Sequence, residues 1–364
     1  MKKKALVMLF LGALGCILFL TDGFVSAEQL TPEGLNYTFG EVKVFTLQKK
    51  DVVAIAVDAG TTAGCAVDPL NYQMNLTYNQ TVKGNKLEII LDDINLPLGR
   101  ESCIVKKLVN GSFLKQVQID KNSPSSIKIT ALFADNAKPQ VTTVKRKGIK
   151  HEDGTFDLRT YLVLSFNSDT AGRTVVLDPG HGGSDFGAVS NFLCEKDLNL
   201  DIGLRARDLL RQKGYDVYMT RTDDTDVPLF DRADAANILN AAVFVSVHNN
   251  SMPEDMPEAA KKLYRGTTVL YNAAALRSGK ELALIMCDEL VARLRTHKYP
   301  LQNRPNLVVL NSTWVPAVLA EVSMMPNSHD AKQISQPIYQ QIAAEAIAES
   351  TDKFLKNAVL ASEG

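Results

Sequence analysis

The chain has 364 residues, more than a single hydrophobic core usually serves, so two domains are expected. Apolar residues make up 45% and charged residues 22%, the balance of an ordinary globular protein. A formal net charge of -1 supplies no field for a polyanion and argues against nucleic acid as a partner.

At the start of the chain, Lys2, Lys3 and Lys4 precede an almost uncharged apolar run over residues 5–20, and Val25-Ser26-Ala27 follows as a small-residue cleavage site. This is the pattern of a secretory signal peptide over residues 1–27, with retention of the run as a membrane anchor as the alternative. Lipidation at Cys16 fits less well, because the apolar run continues past it through Ile17, Leu18, Phe19 and Leu20. Export leads to the periplasm or cell envelope. There Cys65 and Cys103 are the better candidates for a disulfide, and buried free thiols are the alternative.

Residues 28–167 read as short strands, among them 41–47, 52–57, 86–91, 126–132 and 161–166, separated by Asp-Pro, Asn-Gly and Asp-Gly turns. An all-β, sandwich-like domain is expected there. The small polar residues 168–172 follow as a linker. From 173 to 358 the pattern changes to strands (174–177, 215–221, 243–247, 267–271, 317–321) alternating with helices (195–213, 229–241, 276–295, 338–355). Such alternation predicts an α/β domain with a mainly parallel sheet and helices on both faces. Ligands of sheets of this kind sit outside the carboxyl ends of the strands.

The chain has five histidines. His181 follows the first strand of this half within Asp178-Pro179-Gly180-His181-Gly182-Gly183, whose glycines permit a sharp turn, and His248 closes the strand 243–247. Both project from the carboxyl edge of the predicted sheet. Glu195 opens the first helix beside that edge. Two imidazoles and a carboxylate suit a catalytic zinc, which takes three protein ligands and keeps a fourth position for water. Glu321 ends another strand at the same edge, outside the ligand set, where a general base is expected. Singly, each residue has a structural alternative, such as a glutamate placed to favour a helix dipole.

The order of motifs over residues 173–356 resembles the zinc-dependent N-acetylmuramoyl-L-alanine amidases of the amidase-3 type. The likeness is carried by Asp178 to Gly183, Asp185, Gly187-Ala188, Glu195-Lys196-Asp197, Thr220-Arg221-Thr222-Asp223, Pro228-Leu229, Arg232, Ala236-Asn237, Phe244 to Asn250, Val315 to Glu321 and Asn327. It implies that His181, Glu195 and His248 bind Zn2+, that Glu321 is the catalytic carboxylate, and that the substrate is peptidoglycan, cut between N-acetylmuramic acid and L-alanine. The chain departs from the family pattern at Asn249, where a small residue is usual, and at Ser323-Met324-Met325-Pro326, which replaces Gly-Phe-Leu-Ser. The first half resembles the β-rich AMIN domain through Val117-Gln118-Ile119, Ser126 to Ile129 and Leu162 to Phe166, which implies envelope binding.

Nucleotide binding is not expected, because Asp185 follows the glycine run where a pyrophosphate would be repelled and no phosphate loop is present. A serine hydrolase lacks its Gly-x-Ser-x-Gly elbow. Two alternatives to the amidase remain: a catalytically inert peptidoglycan-binding protein, and another zinc hydrolase of the same polymer. No activator in the envelope is identified by the residues.

Overall fold

The computed structural model describes residues 37–61, 72, 74–96, 103–167, 173–190, 192–252, 256–261 and 263–363. The expected signal peptide, the linker at 168–172 and Cys65 of the expected disulfide lie outside the described residues. Among those described, no helix is long and apolar enough to cross a membrane.

The N-terminal half consists of strands β1 (Thr38–Thr46), β2 (Lys50–Gly60), β3 (Tyr78–Lys83), β4 (Lys86–Leu91), β5 (Cys103–Leu108), β6 (Leu114–Ser123), β7 (Ser126–Phe133), β8 (Lys138–Lys145), β9 (Ile149–Lys150) and β10 (Phe156–Asn167). They form two five-stranded sheets, one ordered β1-β2-β10-β8 with β9 beside β10, the other β3-β4-β7-β6-β5. In β2, every residue from Val52 to Val57 is fully buried. An antiparallel strand with one wet face alternates apolar and polar residues, so an unbroken apolar run means that both faces are covered. Val53, Ile55 and Val57 point into the core shared with the second sheet, beside Leu87, Ile89, Ile127 and Ile129. Val52, Ala54 and Ala56 point the other way, into a core that includes Val176, Ala235, Ile238, Phe244, Val309 and Leu319 of the C-terminal half. The two halves thus share apolar packing.

The C-terminal half runs β11 (Thr174–Pro179), β12 (Val189–Ser190), β13 (Leu193–Cys194), α1 (Glu195–Gln212), β14 (Asp216–Met219), α2 (Leu229–Ile238), β15 (Val243–Asn250), α3 (Glu258–Lys261), β16 (Thr268–Tyr271), α4 (Lys280–Leu294), β17 (Gln302–Asn303), α5 (Val308–Asn311), β18 (Ala317–Met324), α6 (Ser328–Ile334) and α7 (Pro337–Glu363). Its six-stranded sheet is ordered β14-β11-β15-β18-β16-β17. The first four strands are mutually parallel, whereas β16 lies antiparallel to β18. One face of the sheet packs on apolar residues of α1, α4 and α7. The other packs on α2, α5 and the β2-β10 sheet.

Helix ends differ from the sequence expectation where backbone sterics intervene. Asn240, at a φ of 44°, is left-handed, so α2 stops at Ile238 and not at 241. The helix expected from 276 begins at Lys280, after Gly279, where a Cβ would stand 2.1 Å from the Ala317 carbonyl oxygen.

Candidate functional site

The parallel strands β15 and β18 run on past the end of β11, and their register places His248 directly opposite Glu321. After β11 the chain turns through His181, which takes a left-handed φ of 62° and is followed by Gly182 and Gly183, also at positive φ. Such a conformation is strained for a residue with a Cβ, and it persists because the surroundings hold it. Arg221 donates to the carbonyl oxygens of Pro179 and Gly180, each at 2.9 Å, and Arg232 to those of Pro179 and His181, also each at 2.9 Å. Arg232 is further fixed by a buried ion pair with Asp178 at 2.8 Å.

This turn, α1 and β15 bring His181, Glu195 and His248 together, with one ligand atom from each within 4.8 Å of the others. His181 Nε2 lies 3.2 Å and His248 Nδ1 2.9 Å from Glu195 Oε1. The other ring nitrogen of His181 is 2.8 Å from Asp185 Oδ2, which orients the imidazole with Nε2 toward the cluster. Although burial opposes charge on both groups, the hydrogen bonds to Glu195 and Asp185 push His181 up to about 9, and the two imidazoles hold Glu195 far below the usual carboxylate range.

Two glycines make room for the cluster. A Cβ on Gly180 would stand 2.1 Å from the His248 ring, and one on Gly187 would stand 2.6 Å from both Glu195 Oε2 and the His181 ring. A buried carboxylate between two imidazoles, cradled where no side chain fits, is a donor set of the type that takes zinc. His151, His297 and His329 do not join it: His151 pairs with Asp157, His297 stacks edge-on against Tyr299, and His329 lies beside Asp330.

Glu195 is held from the remaining directions. Its Oε2 accepts from the Ala188 amide at 2.8 Å and its Oε1 from the Asn249 amide at 3.1 Å. Asn199, one helical turn along α1, donates to the Gly180 carbonyl at 3.2 Å and accepts from Asn249 Nδ2 at 2.9 Å. Ser323 Oγ donates to Asn249 Oδ1 at 2.7 Å. The two departures from the family pattern therefore meet in one hydrogen bond. Asn199 belongs to none of the motifs above, and its i+4 spacing from Glu195 on one helix face is the signal in the sequence that marks it.

Glu321 is partly exposed as a residue, yet its Oε2 is shut off from solvent and has no hydrogen-bond partner. Burial, reinforced by the neighbouring Glu195 charge, pushes its carboxyl up to about 7. A group of that kind both accepts and releases a proton near neutral pH. A cleft of about 290 Å³ opens at the two imidazoles, lined by Gly180, His181, His248, Leu229, Arg232 and Val309, among others.

The profile of the amidase-3 family, N-acetylmuramoyl-L-alanine amidase, matches residues 175–353. The chain is similar to the N-acetylmuramoyl-L-alanine amidase LytC of Bacillus subtilis, at 32% identity over 197 residues that make up 54% of this chain and 38% of that protein. It is 34% identical over 184 residues to the uncharacterized Bacillus subtilis protein YqiI, covering 50% of this chain and 85% of that one. Among solved structures, an N-acetylmuramoyl-L-alanine amidase from Clostridium difficile is 33% identical, covering 51% of this chain and 98% of that one, with a TM-score of 0.47.

Proposed function

Since the chain belongs to the amidase-3 family of N-acetylmuramoyl-L-alanine amidases, we propose that it is an exported enzyme that hydrolyses the amide bond between N-acetylmuramic acid and L-alanine in peptidoglycan, with zinc held by His181, Glu195 and His248. The observation that carries the metal assignment is the convergence of these three side chains at the carboxyl edge of the sheet, beside a carboxylate of raised pKa. Family membership carries the bond that is cut.

A zinc ion held there supplies a Lewis acid that activates water and stabilises negative charge on the carbonyl oxygen. Glu321 takes a proton from the water as the water oxygen attacks the lactyl carbonyl carbon. As the carbon–nitrogen bond breaks, Glu321 returns that proton to the departing alanine nitrogen, and the products are a muramic acid carboxylate and a peptide with a free amine. Asp185 and Asn249 keep His181 and Glu195 in place throughout. The likeness of the N-terminal half to AMIN domains supports a role for that half in binding the envelope.

The test is a soluble muropeptide. With zinc, the protein is expected to release the intact stem peptide. A chelator should abolish the release and added zinc should restore it. Release that is indifferent to chelation overturns the metal assignment, and release of a shorter peptide makes the enzyme a different hydrolase of the same polymer.

A further inference from the structure

The halves meet at more than an apolar surface. Arg146, which follows β8, donates through Nε to Asp234 at 2.6 Å and through a terminal nitrogen to Asp231 at 3.0 Å, and its guanidinium stacks 5.5 Å from the Phe230 ring. All three partners belong to α2. Tyr161 of β10 donates to the same Asp234 at 2.6 Å, and Lys43 of β1 pairs with Asp231 at 2.8 Å. Arg232, which lies between those two aspartates in sequence, holds the carbonyl oxygens of Pro179 and His181. One residue earlier in the N-terminal half, the Lys145 carbonyl accepts from the Trp314 indole at 2.8 Å. Trp314 lies just before β18, the strand that carries Glu321, and its amide is bonded to Asn237 of α2 at 2.7 Å.

We propose that the Lys145-Arg146 end of the N-terminal half is a positioning element of the hydrolytic site, clamping α2 against the His181 turn and fixing the approach to β18; the proposal rests on the hydrolase reading above. A carboxylate pair gripped by one planar guanidinium fixes both the rotation and the height of a helix, which a single point charge does not. Because Arg232 projects from that helix to the backbone of a strained turn, a shift of α2 is transmitted to His181. Arg146 thus acts on the cluster through α2 and touches none of its members.

The test uses the full chain and a control at the same interface. Asp216, at the amino end of β14 and so at the opposite edge of the sheet, accepts from the Gln48 and Lys49 amides. Arg146→Ala is expected to weaken zinc binding, measured by competition with a chromogenic chelator, and to lower kcat on a muropeptide, each by roughly tenfold or more, the range seen when groups supporting a metal site are lost. KM should change little. Amide exchange at residues 180–183 of the metal-free chain should quicken. Asp216→Ala should lower the melting temperature yet leave zinc affinity, kcat and that exchange near the starting values. If Arg146→Ala does not fold, Arg146→Lys answers the same question, because an ammonium cannot span both aspartates. Equal effects of the Arg146 and Asp216 variants on zinc affinity and exchange overturn the clamp. A starting protein that fails to cut muropeptides defeats the hydrolase reading instead, and the exchange comparison still decides the clamp.

Discussion

At the scale of single residues, the assignment of roles divides Glu321 from His181, Glu195 and His248. Glu321→Gln keeps the shape and removes the proton acceptor, so turnover should fall by about 10²–10⁴-fold, while zinc content and melting temperature stay near the starting values. Loss of zinc from that variant would make Glu321 a ligand. The metal-free cluster also carries a pH signature. His181 is raised from 6.5 to about 9, so the stability that it gains from Glu195 and Asp185 is fully present below about pH 6.5 and is lost as pH rises through about 9. Zinc held as proposed would displace that proton, so its affinity should rise by about tenfold per pH unit across the same window. Melting temperatures of the loaded and metal-free protein, measured across this range, should diverge as pH rises. A constant gap would show that His181 does not yield its proton to the metal. His181, Glu195, His248 and Glu321 were legible because each follows, opens or lies toward the end of an element whose period could be read, although β15 and β18 run on past His248 and Glu321 to Asn250 and Met324. The Asn249–Ser323 hydrogen bond was not: it joins β15 to β18, and no local pattern reports contacts 74 residues apart. Ser323→Ala leaves a buried Asn249 oxygen unpaired and should cost about 1–3 kcal/mol in urea unfolding.

At the scale of elements, the site depends on turns that close without side chains. Gly187, at a φ of 62°, lies where a Cβ would intrude on both His181 and Glu195. Gly187→Ala should therefore abolish tight zinc binding in a chain that still folds, as read by zinc content and circular dichroism together. Retained zinc in that variant would mean that the turn can rearrange around the cluster. The strand and helix pattern of the C-terminal half was legible in the sequence, since Leu198, Ile202, Ala206 and Leu210 repeat at helical spacing and are all buried on α1. The short pieces α5, α6 and β17 were not, because two to seven residues carry too little periodicity to separate helix or strand from loop. The reversed direction of β16 was also out of reach. Its run, Thr268 to Tyr271, is as apolar as a parallel strand, and only its pairing with β18 reveals the direction.

For the whole molecule, the unbroken apolar runs of β2 and β10 carried a message about architecture. In a sheet whose pairings are all antiparallel, they require a second covering layer, and the C-terminal half supplies it. A chain starting at Arg173 would uncover Ala235, Ile238, Val309 and Leu310, and each large side chain so exposed forfeits up to about 1.5–3 kcal/mol. Such a fragment should unfold at lower urea than the full chain and bind more of a hydrophobic dye. An unchanged midpoint would contradict a shared core. The central claim, that this assembly cuts peptidoglycan at the muramoyl–alanine amide, is tested most directly by the chain ends it leaves. Purified peptidoglycan digested by the zinc-loaded full chain should gain L-alanine amino termini, detected by amine labelling and hydrolysis, with no increase in reducing sugar. New reducing ends, amino termini on another residue, or no new ends at all would contradict it.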